Sequence, residues 1–297
     1  RVLLILTLVI YFVFYEREFL RYFFSIVGLY YLSVAVFIRK DRIENSKQNF
    51  FMSMWTYPND PTIYVRNKVD LTNTLRRLKE LSAKFNSNIG LTALILKAKG
   101  IILKEFPQSN TAIVLGKIVP RKTCDVSIYA SFGEETESDV ITIRECDKKN
   151  VQEIQTEINQ RTQELNNGTC QEHNRRGFII KWVPTFLLSP FIRVSAYLSS
   201  CGVNFNWFGL PDYAFGAVSV CNLEKTGLDL AYMPIPSISN SVIVLALGMK
   251  KTKIMKDDNN QFSTRTYSNF NYSIDHRFID GAYGAKMSER FTKLIEE

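Results

Sequence analysis

The 297-residue chain has no C-x-x-C pair, no glycine-rich phosphate loop, no internal repeat and only two histidines. Its five cysteines, Cys124, Cys146, Cys170, Cys201 and Cys221, are scattered and odd in number, which excludes a disulfide framework closed within the chain. His173 has Cys170 three residues before it but no further partners at ligand spacing, so no metal is expected. The formal charge of +8 suits nucleic acid, anionic lipid or a phosphorylated ligand. No RNA-recognition or zinc-finger signature accompanies that charge, and the Lys and Arg residues are dispersed, so nucleic acid is not expected as a partner.

Apolar residues are plentiful, at 46% against 22% charged, enough for one large globular domain and something beyond it. The excess lies at the start. Residues 2–15 (VLLILTLVIYFVFY) and 23–38 (FFSIVGLYYLSVAVFI) carry no charge, although each is shorter than the ~20 residues of a spanning helix. The reading is a membrane anchor over residues 1–40 with one or two transmembrane segments, the bilayer being a partner. Arg39, Lys40 and Arg42 then form a basic exit, which favours the cytoplasmic or matrix-like side for the large domain. A polar linker occupies 41–57, ending at the turn-rich Pro58-Asn59-Asp60-Pro61.

From residue 58 to 297 helical and strand patterns mix, as in one α/β domain. Leu71, Leu75, Leu78, Leu81 and Phe85 space out a helix from about Asp70. Leu94, Ile95, Ala98, Ile101 and Ile102 mark the inward face of a second helix, from Leu91 to Phe106. Stretches 125–131, 139–146, 215–221 and 241–248 are rich in β-branched residues and bounded by turn formers, as strands are. Asn150 with Glu153 makes a capped helix start. Residues 177–212, rich in aromatics and Pro, are read as an insertion.

Reactive side chains are densest in Asp275-His276-Arg277-Phe278-Ile279-Asp280-Gly281, between a strand-like run and an Ala-containing helical run. Neutral imidazole can take a proton from a thiol or hydroxyl near neutral pH, and a carboxylate beside it can fix its tautomer. By spacing alone, the alternative that Asp275 and Asp280 pair with Arg277 while His276 caps a turn stands level with this one.

The block resembles the D-H-R-x-x-D-G signature of the acyltransferase components of 2-oxoacid dehydrogenase complexes, a family related in fold to chloramphenicol acetyltransferase. The segments LTALILKAKGIILKEFPQSN, DVITIRECDKKNVQEI and Val218-Ser219-Val220-Cys221-Asn222-Leu223 resemble other parts of that catalytic domain in the same order. The resemblance implies an α/β two-layer fold with a mixed sheet. It also implies acyl transfer between coenzyme A and a dihydrolipoamide-like thiol or a hydroxyl. His276 would be the base, Asp280 and Arg277 would support it, and Cys221 would stand where the family has an oxyanion-binding Ser or Thr. A thiol is the weaker donor, with Ser219 or Asn222 as substitutes if the register slips.

The resemblance further implies a homotrimer with coenzyme A or acyl-CoA as substrate. This chain carries no lipoyl group, so a lipoyl-bearing protein would be the partner. The compartment suggested by the relatives is the mitochondrial inner membrane. The alternative reading is a catalytically decayed trimeric scaffold within a larger membrane complex.

Overall fold

The computed structural model describes residues 61–132, 137–171, 215–236, 239–256 and 262–296, with isolated positions at 22, 25, 26, 28–30, 32, 33, 174, 194 and 198. Residues 1–43 and 44–297 are separate compact units. In the first unit the described positions are helical, and Ser33 Oγ donates to Tyr30 O at 2.7 Å.

The expected membrane anchor, single- or double-pass, is not borne out. Among the described residues no helix is long and apolar enough to cross a membrane. Run lengths give a physical reason: 14 and 16 residues reach only about 21 and 24 Å as helix, against a hydrocarbon core of about 30 Å. The transmembrane part of the expected fold and the inner-membrane location are corrected accordingly. Residues 2–15, the linker at 41–57 and nearly all of the insertion at 177–212 lie outside the described residues.

The second unit is a mixed α/β domain. Its strands are β1 (Thr62–Asp70), β2 (Thr111–Val114), β3 (Lys117–Pro120), β4 (Val126–Phe132), β5 (Glu137–Ile143), β6 (Val218–Asn222), β7 (Ile243–Leu247), β8 (Lys251–Lys256) and β9 (Phe262–Asp275). The helices are α1 (Thr72–Phe85), α2 (Leu91–Glu105), α3 (Val151–Asn166) and α4 (Gly281–Glu296). Seven strands form one sheet in the order β1-β9-β7-β6-β4-β5, with β8 paired to the first half of β9. β4, β6 and β7 run parallel and the other pairs antiparallel. β2 and β3 make a separate hairpin.

Alternation along each strand sends one set of residues under the helices. Val126, Ile128, Val218, Val220, Ile243, Leu245, Phe270 and Tyr272 join the helical residues Ile95, Ile102, Ile154 and Phe291 in one core. The opposite set, Ser127, Ser219, Val244, Ala246, Asn271, Ser273 and Asp275, is also buried but largely polar. The Asn150–Glu153 capping box at the start of α3 is present in both directions. At the entry to β6, Gly216 adopts φ +62° so close to β4 that a Cβ would meet Asp125 O at 2.5 Å, leaving room only for glycine.

Helix α2 is buried on more than its apolar stripe, and Lys99 is among the enclosed side chains, 1% exposed. Its Nζ sits 3.6 Å from the Phe291 ring centroid and 4.7 Å from that of Tyr272. Burial pushes its pKa down from 10.5 to about 7. A lowered lysine pKa means the unfolded chain binds the extra proton between these two values, so stability rises with pH from about 7 to 10.5. Below that window the folded protein carries the full cost of a buried ammonium. Lys99→Met is therefore expected to raise the stability at neutral pH by a few kcal/mol and to flatten this alkaline rise, as followed by denaturant titrations across pH.

Candidate active site

The loop from Asp275 to Asp280 joins β9, the longest strand, to α4, and both of its ends are fixed. At the strand end Asp275 N donates to Val242 O at 3.0 Å and His276 N to Pro61 O at 2.9 Å. At the helix end Asp280 Oδ1 accepts from Tyr283 N at 2.8 Å, an N-cap contact. Between them Phe278 and Ile279 are each 1% exposed, plugged into the core, and Gln108 Nε2 donates to Phe278 O at 2.9 Å. His276 is left half-buried on a loop that has little freedom to move.

The imidazole is oriented by the loop itself. His276 Nδ1 lies 2.9 Å from Ile279 O. A carbonyl oxygen only accepts, so in the neutral ring Nδ1 carries the proton and Nε2 keeps its lone pair. The donor to that lone pair, or the proton it removes, has to come from outside this hydrogen bond.

Asp275 and Arg277 form the pair that spacing alone allowed, and His276 is oriented at the same time. Arg277 Nε contacts both Asp275 oxygens at 3.0 and 3.1 Å, and Nη2 reaches Oδ2 at 2.6 Å. The backbone N–H of Arg277 also donates to Oδ1 at 2.9 Å. The carboxylate is nearly enclosed, its side chain 4% exposed against 34% for Arg277, so the guanidinium supplies most of what replaces water there.

Cys221 lies on β6, half-buried, its thiol pKa pushed up by burial, so it is neutral at physiological pH. Across the sheet it is level with Ala246 on β7 and through it with Asn271 on β9. His276 is five residues beyond Asn271 and two strands away, so the two Cα atoms are separated by roughly 19 Å from strand spacings of about 4.8 Å and a rise of about 3.3 Å per residue. Within one chain the two side chains do not meet. The possible substitutes are occupied elsewhere. Ser219 Oγ is buried within 2.8 Å of Ser127 Oγ and 3.2 Å of Phe215 O. Asn222 is exposed and caps the following turn through Glu224 N at 2.9 Å.

Comparison with known proteins places the chain in a family and a fold. The profile described as 2-oxoacid dehydrogenases acyltransferase (catalytic domain) matches residues 39–180 and 208–297. This chain belongs to that family. It is 23% identical over 238 residues to the dihydrolipoyllysine-residue succinyltransferase component of the 2-oxoglutarate dehydrogenase complex of Staphylococcus epidermidis, covering 77% of this chain and 46% of that protein. The chain thus spans about half the length of such relatives. In structure it is similar to a probable dihydrolipoamide acetyltransferase from Listeria monocytogenes, with a TM-score of 0.59 and 18% identity over 86% of this chain and 93% of the other. It is likewise similar to the cubic core of a pyruvate dehydrogenase multienzyme complex, with a TM-score of 0.58 and 16% identity over 85% and 86% of the two chains. The mixed-sheet α/β fold expected from the resemblance is therefore present.

Sequence allowed the Asp275–Arg277 pair as one of two level readings, which the structure shows, and gave no account of Lys99. The only signal for Lys99 was a Lys inside an apolar helix. Replacing Arg277 with Met is expected to strand the buried Asp275 carboxylate and cost about 3 kcal/mol of stability. A lowered denaturant midpoint with unchanged slope checks this.

Proposed function

We propose that this chain transfers an acyl group between coenzyme A and a thiol of the dihydrolipoamide class, or a hydroxyl, with His276 as general base. The observation that carries the reading is the Nδ1 contact to Ile279 O, which leaves Nε2 able to take a proton, in a chain whose family is named for acyl transfer. The acceptor thiol gives its proton to Nε2 as its sulfur attacks the thioester carbonyl. A tetrahedral oxyanion forms and collapses with departure of the coenzyme A thiolate, which receives the proton back from the imidazolium. Asp280 supports the site by capping α4, and Arg277 by holding Asp275 at the strand end.

Cys221 is the candidate oxyanion donor. Its distance from His276 within one chain supports a site completed between copies, as in a homotrimer, where Cys221 of one copy faces His276 of the next. Coenzyme A or acyl-CoA is the substrate and no metal takes part. The acceptor's lipoyl group would be carried by a partner in a larger assembly, for which the multienzyme-complex names of the relatives are the support. A weak thiol donor at this position also favours a second reading, a trimeric scaffold with little or no turnover.

Acyl transfer from acetyl-CoA to free dihydrolipoamide, measured on the purified chain, separates these. His276→Ala is expected to lower the rate by about a thousandfold or more, through loss of proton transfer together with positioning. Unchanged transfer in that variant would sink the mechanism. Cys221→Ser is expected to raise kcat by about ten- to a hundredfold, because a hydroxyl is the better oxyanion donor. No transfer by either the unaltered chain or Cys221→Ser supports the scaffold.

A further inference from the structure

A cavity of about 380 Å³ opens between β1, β9 and the first half of α4. That is within the size range of small-molecule sites, about 300–1,000 Å³. It exists because α4 presents Gly281, Gly284, Ala285 and Ser288 toward the sheet, at steps of three and four residues, where larger side chains would close it. His276 does not line it; the cavity shares only Ile279 and Asp280 with the loop that carries that residue.

The small-residue stripe alone would be a packing defect. What makes it a site is Lys99, on the cavity wall and 1% exposed, whose Nζ has two aromatic faces beside it and no hydrogen-bond or ion-pair partner among the described residues. Tyr272 Oη is buried in the same wall next to Ser288, without a hydrogen bond of normal geometry. The Ser288 hydroxyl accepts from Asn67 Nδ2. The wall thus offers an amine with nothing to donate to and a phenol without a well-formed acceptor, and buried donors left unmatched are costly. The remaining lining is apolar, with Ile63, Val65, Ile274 and Met287.

We propose that this cavity binds a short-chain monocarboxylate, its carboxylate oxygens taking hydrogen bonds from Lys99 Nζ and Tyr272 Oη and its hydrocarbon tail lying along Ile63, Val65 and Ile274. The inference rests on the cavity and not on acyl transfer. Asp280, just before α4, also lines the space, and its negative charge disfavours dicarboxylates and phosphates, which would carry a second charge close to it; Glu289 of α4 lines it too but is exposed and paired with Lys293 at 2.8 Å. The titratable groups facing Lys99 in the cavity are Tyr272 from β9, Asp280 from the loop before α4 and Glu289 from α4, β1 contributing none. A lysine that is neutral when the cavity holds no anion regains its proton when paired with one, so binding takes up a proton.

The test is calorimetry on the full chain at about pH 8 with butyrate as probe, repeated in two buffers of different ionisation heat to count protons, with n-butylamine as the control. Expected are saturable butyrate binding with uptake of about one proton and no binding of the amine. Lys99→Met is expected to lower the affinity at least tenfold. Val65→Phe, which fills the cavity while keeping the lysine, is expected to do the same. Acyl-transfer rates measured beside them keep this result separate from the catalytic proposal. Absence of saturable binding, binding without proton uptake, or binding that survives both substitutions overturns the assignment.

Discussion

The hydrogen bond from His276 Nδ1 to Ile279 O is the contact on which the catalytic reading rests, and it is a product of the whole sheet. β9 is held by three strands: β1 along Thr62–Asp70, β7 along Ile243–Leu247 and β8 at its start. A strand paired this way delivers Asp275 to one position. The loop then has to turn into α4 while keeping Phe278 and Ile279 in the core, and that brings the Ile279 carbonyl back toward the imidazole. The placement of the imidazole is a consequence of backbone registry, with side-chain contacts closing the last step.

The polar face of the sheet explains why the strand end tolerates charge. Ser219 Oγ lies within hydrogen-bond reach of Ser127 on the neighbouring strand and of Ser241 just before β7, at 2.8 and 3.4 Å. Asn271 Nδ2 donates to Asp229 O at 3.1 Å, and Asp275 is forked by Arg277. Among the described residues Asn271 Oδ1 and Ser273 Oγ have no hydrogen-bond partner, a standing cost of the kind that is placed near sites of function more often than in inert cores. On the other face the helices supply the apolar burial that offsets such losses. One sheet thus separates an apolar, helix-covered side from a polar one, and Lys99 is the exception that carries a polar group into the apolar side.

How much could be read from sequence depends on how each signal arises. The Asp275–Gly281 block, the capping box of α3 and the two N-terminal helices of the domain were legible because motif spacing and apolar periodicity are local properties. α1 begins at Thr72 and α2 spans Leu91–Glu105, within two residues of the expectation. β1 was not legible: Tyr64, Arg66 and Lys68 alternate outward and Ile63, Val65 and Val69 inward, but an aromatic on the outward face and the polar Asn67 on the inward face blur the apolar pattern of this edge strand. β8 has no buried residue at all and so no pattern to find. Lys99 was hidden because an apolar stripe predicts one buried face, whereas α2 also buries Ala93, Gly100 and Leu103. The expected membrane anchor came from two uncharged apolar runs, each already short of a spanning length, and absence of charge was given more weight than that shortfall. The distance between Cys221 and His276 is a matter of sheet order, which no local pattern encodes.

The measurement that bears most directly on this account is the protonation pattern of the His276 ring by nitrogen NMR on uniformly labelled protein. With two histidines in the chain, His173 and His276, assignment needs a single His173→Gln control. The account predicts that, in the neutral ring of His276, Nδ1 bears the hydrogen and Nε2 is bare. A neutral ring protonated at Nε2, or one exchanging freely between tautomers, would contradict it, because the nitrogen assigned to proton transfer would then not be held ready as a base.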